Sequence, residues 1–353
     1  MVLIVRKILI LLAAALLLNG QSLPTETPAP ELSADCAVLM TADGQILYEK
    51  NAHRRSLIAS TTKLMTALVA AEHCSLDETV EIPPACCEIE GSSMYLAAGE
   101  TYTVEELLTG LLLASGNDAA EALALHCAGS EERFAAWMNE KAAELGMADS
   151  HFVNPHGLDD EEHYGSAADL ALLMAACMER PELCAILSRS GAEIHGQYYV
   201  NHNKLLWRCP GCLGGKTGYT QAAGRCLVSC CEREGTRLYC VTLSAPEDWN
   251  DHMALYDWGF ARYVSADVTA QLRYTLPLFG AEEKEIRLQA DPLTLTLPKD
   301  TELKVAAELP PFVLAPVRAG EIGGCVHVFR DGVELGSVPL RFTQTLGETG
   351  KNT

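Results

Sequence analysis

Three short polar clusters have the residue types and spacings that acyl-transfer chemistry needs. The first is Ser60-Thr-Thr-Lys63. A serine hydroxyl is a weak nucleophile until a neighbouring group takes its proton. Residues three apart on a helix share a face, so a helix starting at Ser60 puts its hydroxyl beside the Lys63 amine. Burial of that amine near other cations lowers its pKa and makes it a base near neutral pH. The free N–H groups of a helix start also favour the negative charge that develops in acyl transfer. By itself the spacing also describes a capping serine followed by a surface lysine, a common arrangement.

The second cluster, Ser115-Gly-Asn117, falls between two apolar helical runs. On a tight turn it can offer a hydroxyl for proton relay and an amide that grips a peptide backbone, or simply an asparagine that caps the next helix. The third, Gly214-Gly-Lys216-Thr-Gly218, has glycines that let a substrate strand approach an edge closely. Lys216 and Thr217 add a positive charge and a hydroxyl, which suit a terminal carboxylate. A phosphate loop is excluded, because Pro210 stands where its first glycine is needed and strand-forming residues follow the lysine.

The elements that must position these clusters are legible in outline. Ala37–Met40 and Ile46–Tyr48 flank Asp43-Gly44, a hairpin signal. Helical patterns cover about Ser60–Ala71, Glu105–Leu113, Asp118–Ala128, Glu131–Leu145 and Ala167–Met178. Strand patterns return at Arg225–Cys231 and Arg237–Ser244. Strands, a helical block and strands again imply a sheet assembled from both ends of the segment, with helices packed against it. From about Ser265 short alternating runs such as Leu293–Leu297 and Cys325–Phe329 predict a separate all-β domain.

The length of 353 residues suits one large and one smaller domain, and 48% hydrophobic content can build cores. A net charge of −21 argues against nucleic acid or an anionic membrane surface as partner. Arg6 and Lys7, the apolar run Ile8–Leu18 and the polar residues after it read as a secretory signal over residues 1–22, with an uncleaved anchor as the alternative. A Pro/Thr-rich linker follows at 23–33. Fourteen cysteines, several in adjacent pairs, do not resemble a disulfide framework. They read as buried thiols, with a local Cys209–Cys212 bridge as the rival. No zinc spacing is evident, and neither a metal nor an organic cofactor is expected.

In order, S-x-x-K, S-x-N and K-T-G form the signature of penicillin-recognising serine enzymes. The sequence resembles the low-molecular-mass penicillin-binding proteins, specifically the serine-type D-Ala-D-Ala carboxypeptidases. Ala59–Thr66, Leu113–Ala119, Asn154-Pro-His-Gly-Leu158, Asn201-His-Asn-Lys204, Lys216–Thr220 and Trp258-Gly-Phe260 extend the resemblance over nearly the whole chain. It implies an α/β (α+β) domain of the penicillin-binding-protein/β-lactamase type over 34–263. Its sheet is mostly antiparallel and sandwiched by helices, and a small all-β domain (264–343) and a tail (344–353) follow. It implies Ser60 as nucleophile, Lys63 as base and Ser115 as proton shuttle. Asn117 would hold the donor peptide, and Lys216 and Thr217, with Gly218 beside them, would bind its carboxylate. The N–H groups of Ser60 and Tyr219 would form the oxyanion hole. The implied partners are peptidoglycan stem peptides ending in D-Ala-D-Ala, with β-lactams as covalent inhibitors, on the outer side of the cytoplasmic membrane.

His156 and Asp159 are expected to be structural, and Asn201, His202 and Lys204 to brace the site. Two departures stand out. Asp248 occupies the place, about ten residues before Trp258, where many relatives carry an arginine thought to assist carboxylate binding. The C-terminal residues lack the amphipathic pattern of a membrane-docking helix, so membrane contact is expected only through a retained N-terminal segment. The alternatives are a serine β-lactamase, for which Glu161 and Glu162 lie in a poor setting, and a non-catalytic wall-binding module.

Overall fold

The computed structural model describes residues 28–347 and the backbone of residues 14–17. The remainder of the expected signal, the start of the linker and residues 348–353 lie outside the described residues. Ala14–Leu17 forms an edge strand antiparallel to Glu302–Glu308. The chain divides into two compact units, Thr27–Ala261 and a second from Arg262 onward that includes the Ala14–Leu17 strand.

The first unit is built on a five-stranded antiparallel sheet. Its strands are β1 (Cys36–Thr41), β2 (Ile46–Lys50), β3 (Cys212–Thr220), β4 (Gly224–Arg233) and β5 (Thr236–Leu243), in the order β2-β1-β5-β4-β3. N-terminal strands thus pair with strands some 200 residues later in the chain, as Val38 opposite Val241 illustrates. Strand residues alternate between faces, and both faces are apolar. Cys36, Val38, Met40, Val228 and Val241 enter the larger core with α1 (Lys63–His73), α2 (Val104–Leu113), α3 (Asn117–Ala128), α4 (Glu131–Glu144) and α5 (Ala167–Glu179). Leu39, Leu227, Leu238 and Cys240 point the other way, against Leu255, Tyr256 and Phe260 of α6 (Asp248–Arg262). Gly259 lets α6 sit close to the sheet. A Cβ there would meet Leu39 Cδ2 at 2.7 Å and Leu238 Cδ1 at 2.9 Å.

Helix starts carry the caps their sequences specify. Thr103 and Glu106 form a reciprocal capping box at α2, and Ser130 and Ser166 accept from the third N–H of α4 and α5. One expectation shifts: residues 59–62 form a 3₁₀ turn, and the α-helix proper begins at Lys63. Among the described residues no helix is long and apolar enough to cross a membrane.

The second unit is all-β. A seven-stranded sheet runs from the Ala14–Leu17 edge through Glu302–Glu308, Ile322–Arg330, Val333–Phe342, Glu285–Ala290 and Arg273–Phe279 to Val313–Leu314. Tyr263–Asp267 pairs separately with Thr294–Pro298. Ile286, Leu288, Leu303, Val305, Val326, Val328 and Leu340 fill its own core.

Candidate active site

Ser60 lies in the 3₁₀ turn, preceded by Ala59 in a left-handed conformation (φ 47°). Such strain persists only where the surroundings hold it, and here two contacts do. Thr62 Oγ1 donates to the Ala59 carbonyl at 2.8 Å and lies 2.8 Å from His163 Nε2. The Val153 N–H donates to His163 Nδ1 (3.2 Å), so the proton of the neutral ring sits on Nε2 and is donated to Thr62. Burial holds His163 neutral by lowering its pKa to about 4. Gly157, at φ +86°, closes the other side. A Cβ there would lie 2.0 Å from the Ala59 carbonyl oxygen.

Lys63 is fully buried and its amine has three partners. It reaches Ser60 Oγ at 2.8 Å, Asn117 Oδ1 at 2.6 Å and the His156 carbonyl at 2.6 Å. The last two can only accept. A neutral amine would therefore satisfy both with its two N–H bonds and leave its lone pair for the Ser60 hydroxyl. Desolvation, then the nearby Lys216 charge, holds the Lys63 pKa well below that of an ordinary lysine, and Asp118 opposes this. Asp118 itself anchors the adjacent loop, accepting from Ser93 Oγ (2.6 Å) and the N–H groups of Met94 (2.9 Å) and Leu96 (3.1 Å).

Ser115 sits at φ 63° between α2 and α3. Lys216, buried on β3, donates to Ser115 Oγ at 3.0 Å and to the Thr217 carbonyl at 2.7 Å. Burial lowers its pKa to about 7. β3 is an edge strand and passes directly over the 3₁₀ turn, where a Cβ on Gly218 would lie 3.0 Å from Ser60 N. A cleft of about 320 Å³ opens here, lined by Ser60, Ser115, Thr217, Gly218 and Tyr219 among others. Lys63, Asn117 and Lys216 lie beneath them, buried.

The eight residues expected from sequence thus fall into two connected layers. Asn117 lies in the buried layer. Its side chain is spent on Lys63 and, through Nδ2, on the Glu90 carbonyl at 2.6 Å, and it does not line the cleft. Asn201 accepts from the Asn203 N–H (2.8 Å) and donates to the Leu187 and Arg189 carbonyls. Asp159 accepts from Thr220 Oγ1 at 2.9 Å. Sequence reading missed Ser92, Arg225 and Trp249 in the cleft and His163 beneath it. None lies in a spacing that signals chemistry. The departure at Asp248 also resolves. Its carboxylate is buried and accepts from Arg225 Nη2 at 2.9 Å, so the cation at this end of the cleft comes from β4.

All fourteen cysteines are free thiols. Cys209 has its sulfur 3.6 Å from that of Cys231, not bridged to Cys212. Two groups of side chains, Cys74/Glu78/His126 and Glu121/Glu131/His156, have donor atoms close enough to share an ion. Neither contributes a side chain to the Ser60–Lys63 cluster.

Fold and site together define a penicillin-binding-protein type of serine acyl-transfer domain. The structure is similar to that of penicillin binding protein 5 from Haemophilus influenzae, with a TM-score of 0.74 and 29% identity, covering 92% of this chain and 100% of that one. A family model described as D-alanyl-D-alanine carboxypeptidase matches residues 23–247. The chain belongs to that family. D-alanyl-D-alanine carboxypeptidase DacF of Bacillus subtilis is 30% identical over 337 residues, covering 90% of this chain and 87% of its own. DacB2 of Mycobacterium tuberculosis is 37% identical over 254 residues, covering 68% of this chain and 87% of its own.

Proposed function

We propose that the protein is a serine-type D-Ala-D-Ala carboxypeptidase that removes the terminal D-alanine from peptidoglycan stem peptides through an ester on Ser60. The observation that carries this is the Ser60–Lys63 contact of 2.8 Å, with the other two amine partners both acceptors. Ser60 Oγ attacks the carbonyl between the two D-alanines, and its proton passes to the neutral Lys63 amine. The O–C bond forms, the C–N bond to the terminal D-alanine breaks, and the proton reaches the leaving amine by way of Ser115 Oγ. The N–H groups of Ser60 and Tyr219 face the developing oxyanion. Water then cleaves the ester and frees the shortened peptide.

Lys216 and Thr217 receive the substrate's carboxylate end, with Gly218 admitting its backbone along the β3 edge. Asn117 acts by orienting Lys63. A β-lactam acylates the same serine and persists because its leaving group stays tethered. Action on the wall requires a position outside the cytoplasmic membrane, and the charged and apolar N-terminal sequence that reads as a secretory signal supports this. The β-lactamase alternative lacks support. Glu161 and Glu162 are exposed and line no part of the cleft.

The test is D-alanine release from diacetyl-Lys-D-Ala-D-Ala by wild-type protein and by Ser60→Ala. Release by wild type and a loss of roughly 10⁴-fold or more in the variant are expected. Release that survives the substitution would contradict the proposal.

A further inference from the structure

The cleft holds a charge pair that the acylation chemistry does not use. Arg225 stands on β4 directly opposite Tyr219 of β3. Paired residues on adjacent antiparallel strands point to the same side, so Arg225 shares a face with Tyr219 and, two residues back along β3, with Thr217. All three line the cleft. The Arg225 side chain is 43% exposed, while that of Asp248 is 3% exposed. Asp248 Oδ1 is fixed by the Trp249 N–H at 2.8 Å and accepts from Arg225 Nη2 at 2.9 Å. The Trp249 ring lies 5.7 Å from the guanidinium carbon. Among the described residues Asp248 is the one hydrogen-bond acceptor of this guanidinium, which has five donors.

A buried carboxylate and an aromatic ring therefore hold a planar fork at the lining of the cleft, with one of its donors committed to Asp248. Such a fork matches a carboxylate in two-pronged fashion, and being held beforehand it loses little freedom on binding. Neither of the other cations offers such a fork. Lys216 is buried, with its amine on Ser115 and Thr217, and Lys204 is an exposed point charge on a flexible stem.

We propose that Arg225 is the specificity-determining residue that selects a free carboxylate at the end of the peptide leaving group, with Asp248 and Trp249 as its positioning residues. This rests on the carboxypeptidase reading. Lys216 and Thr217 receive the near side of that carboxylate, and Arg225 clamps its far side.

The experiment compares two thioester substrates that share one D-alanyl acyl group. One leaves as thioglycolate, which carries a carboxylate, and the other as its methyl ester, which does not. Thiol release is followed by mass spectrometry as the ratio of the two kcat/KM values. Wild type should favour the carboxylate-ended substrate. Arg225→Ala should cut that preference by ~10- to 100-fold, mostly through KM, the weight of one charge-assisted hydrogen bond or a pair of them. Because Arg225→Ala strands the Asp248 carboxylate, the double variant Arg225→Ala/Asp248→Asn gives the same ratio with no buried charge left alone. Arg225→Lys should restore part of the preference. An unchanged ratio in both alanine variants would overturn the assignment, as would a loss that appears only in Lys204→Ala. Wild-type protein that cleaves neither thioester would instead sink the carboxypeptidase reading beneath it.

Discussion

A lysine can serve as a base near neutral pH only if its surroundings make the charged form costly and the neutral form comfortable. Lys63 meets both conditions, through full burial beside Lys216 and through two acceptors for its N–H bonds. Activity must then rise with pH as Lys63 loses its proton, on a limb well below the 10.5 of a free lysine. Lys216 works in the opposite sense. In its proposed role it binds carboxylate as a cation, so with a pKa of about 7 kcat/KM should fall as pH climbs through that value. A bound carboxylate favours the charged lysine, so the falling limb of kcat should lie at higher pH than that of kcat/KM. Lys63→Arg keeps the charge but removes the base, since a guanidinium stays protonated. It should cost ~10²- to 10⁴-fold in acylation rate, measured as the rate of fluorescent-penicillin labelling. A variant that labels at the wild-type rate would remove Lys63 from the base role.

At the scale of elements, the nucleophile's position is set by a strained turn clamped from both sides. Ala59 at φ 47° is held by Thr62 and His163 below and by the Asn154–Leu158 loop beside it. Gly157 is the tightest point of that clamp. Gly157→Ala would force a Cβ to within 2.0 Å of a backbone oxygen at a φ that favours glycine. The expected cost is roughly 1–3 kcal/mol of stability, seen as a lower melting temperature, together with slower penicillin labelling as the turn shifts. Unchanged melting and labelling would show that the turn does not depend on this contact. The motif Asn154-Pro-His-Gly-Leu158 was visible in the sequence, but the reason for its glycine was not, because the contact joins residues about 100 positions apart.

Across the whole molecule, legibility follows how local each signal is. Alanine-rich helices α3, α4 and α5 and the second unit's alternating strands declare themselves over a few residues. Helix α6 does not, because its buried face includes Asp251, His252 and Gly259 among the apolar residues and so breaks the period. Those polar residues answer to distant partners: Asp251 accepts from the N–H groups of Ser33 and Ala34, and His252 bonds Ser229 and Thr242. The Ser60–Lys63, Ser115–Asn117 and Lys216–Gly218 motifs were legible because they are short, whereas the Arg225–Asp248 pair was half seen. Asp248 registered as an anomaly, and its partner was hidden on another strand.

The chain also offers rival nucleophiles. Burial pushes the Cys86 and Cys226 thiols up to about 12, which leaves them inert. Cys209 and Cys212 differ, both held below the ordinary thiol range chiefly by hydrogen bonding to Cys231. Peptide mapping of the full chain after brief exposure to benzylpenicillin separates these possibilities directly. One penicilloyl group per molecule, on the peptide carrying Ser60, is the expected result. An adduct on Cys209 or any other residue, or no adduct at all, would contradict the assignment of Ser60 as nucleophile.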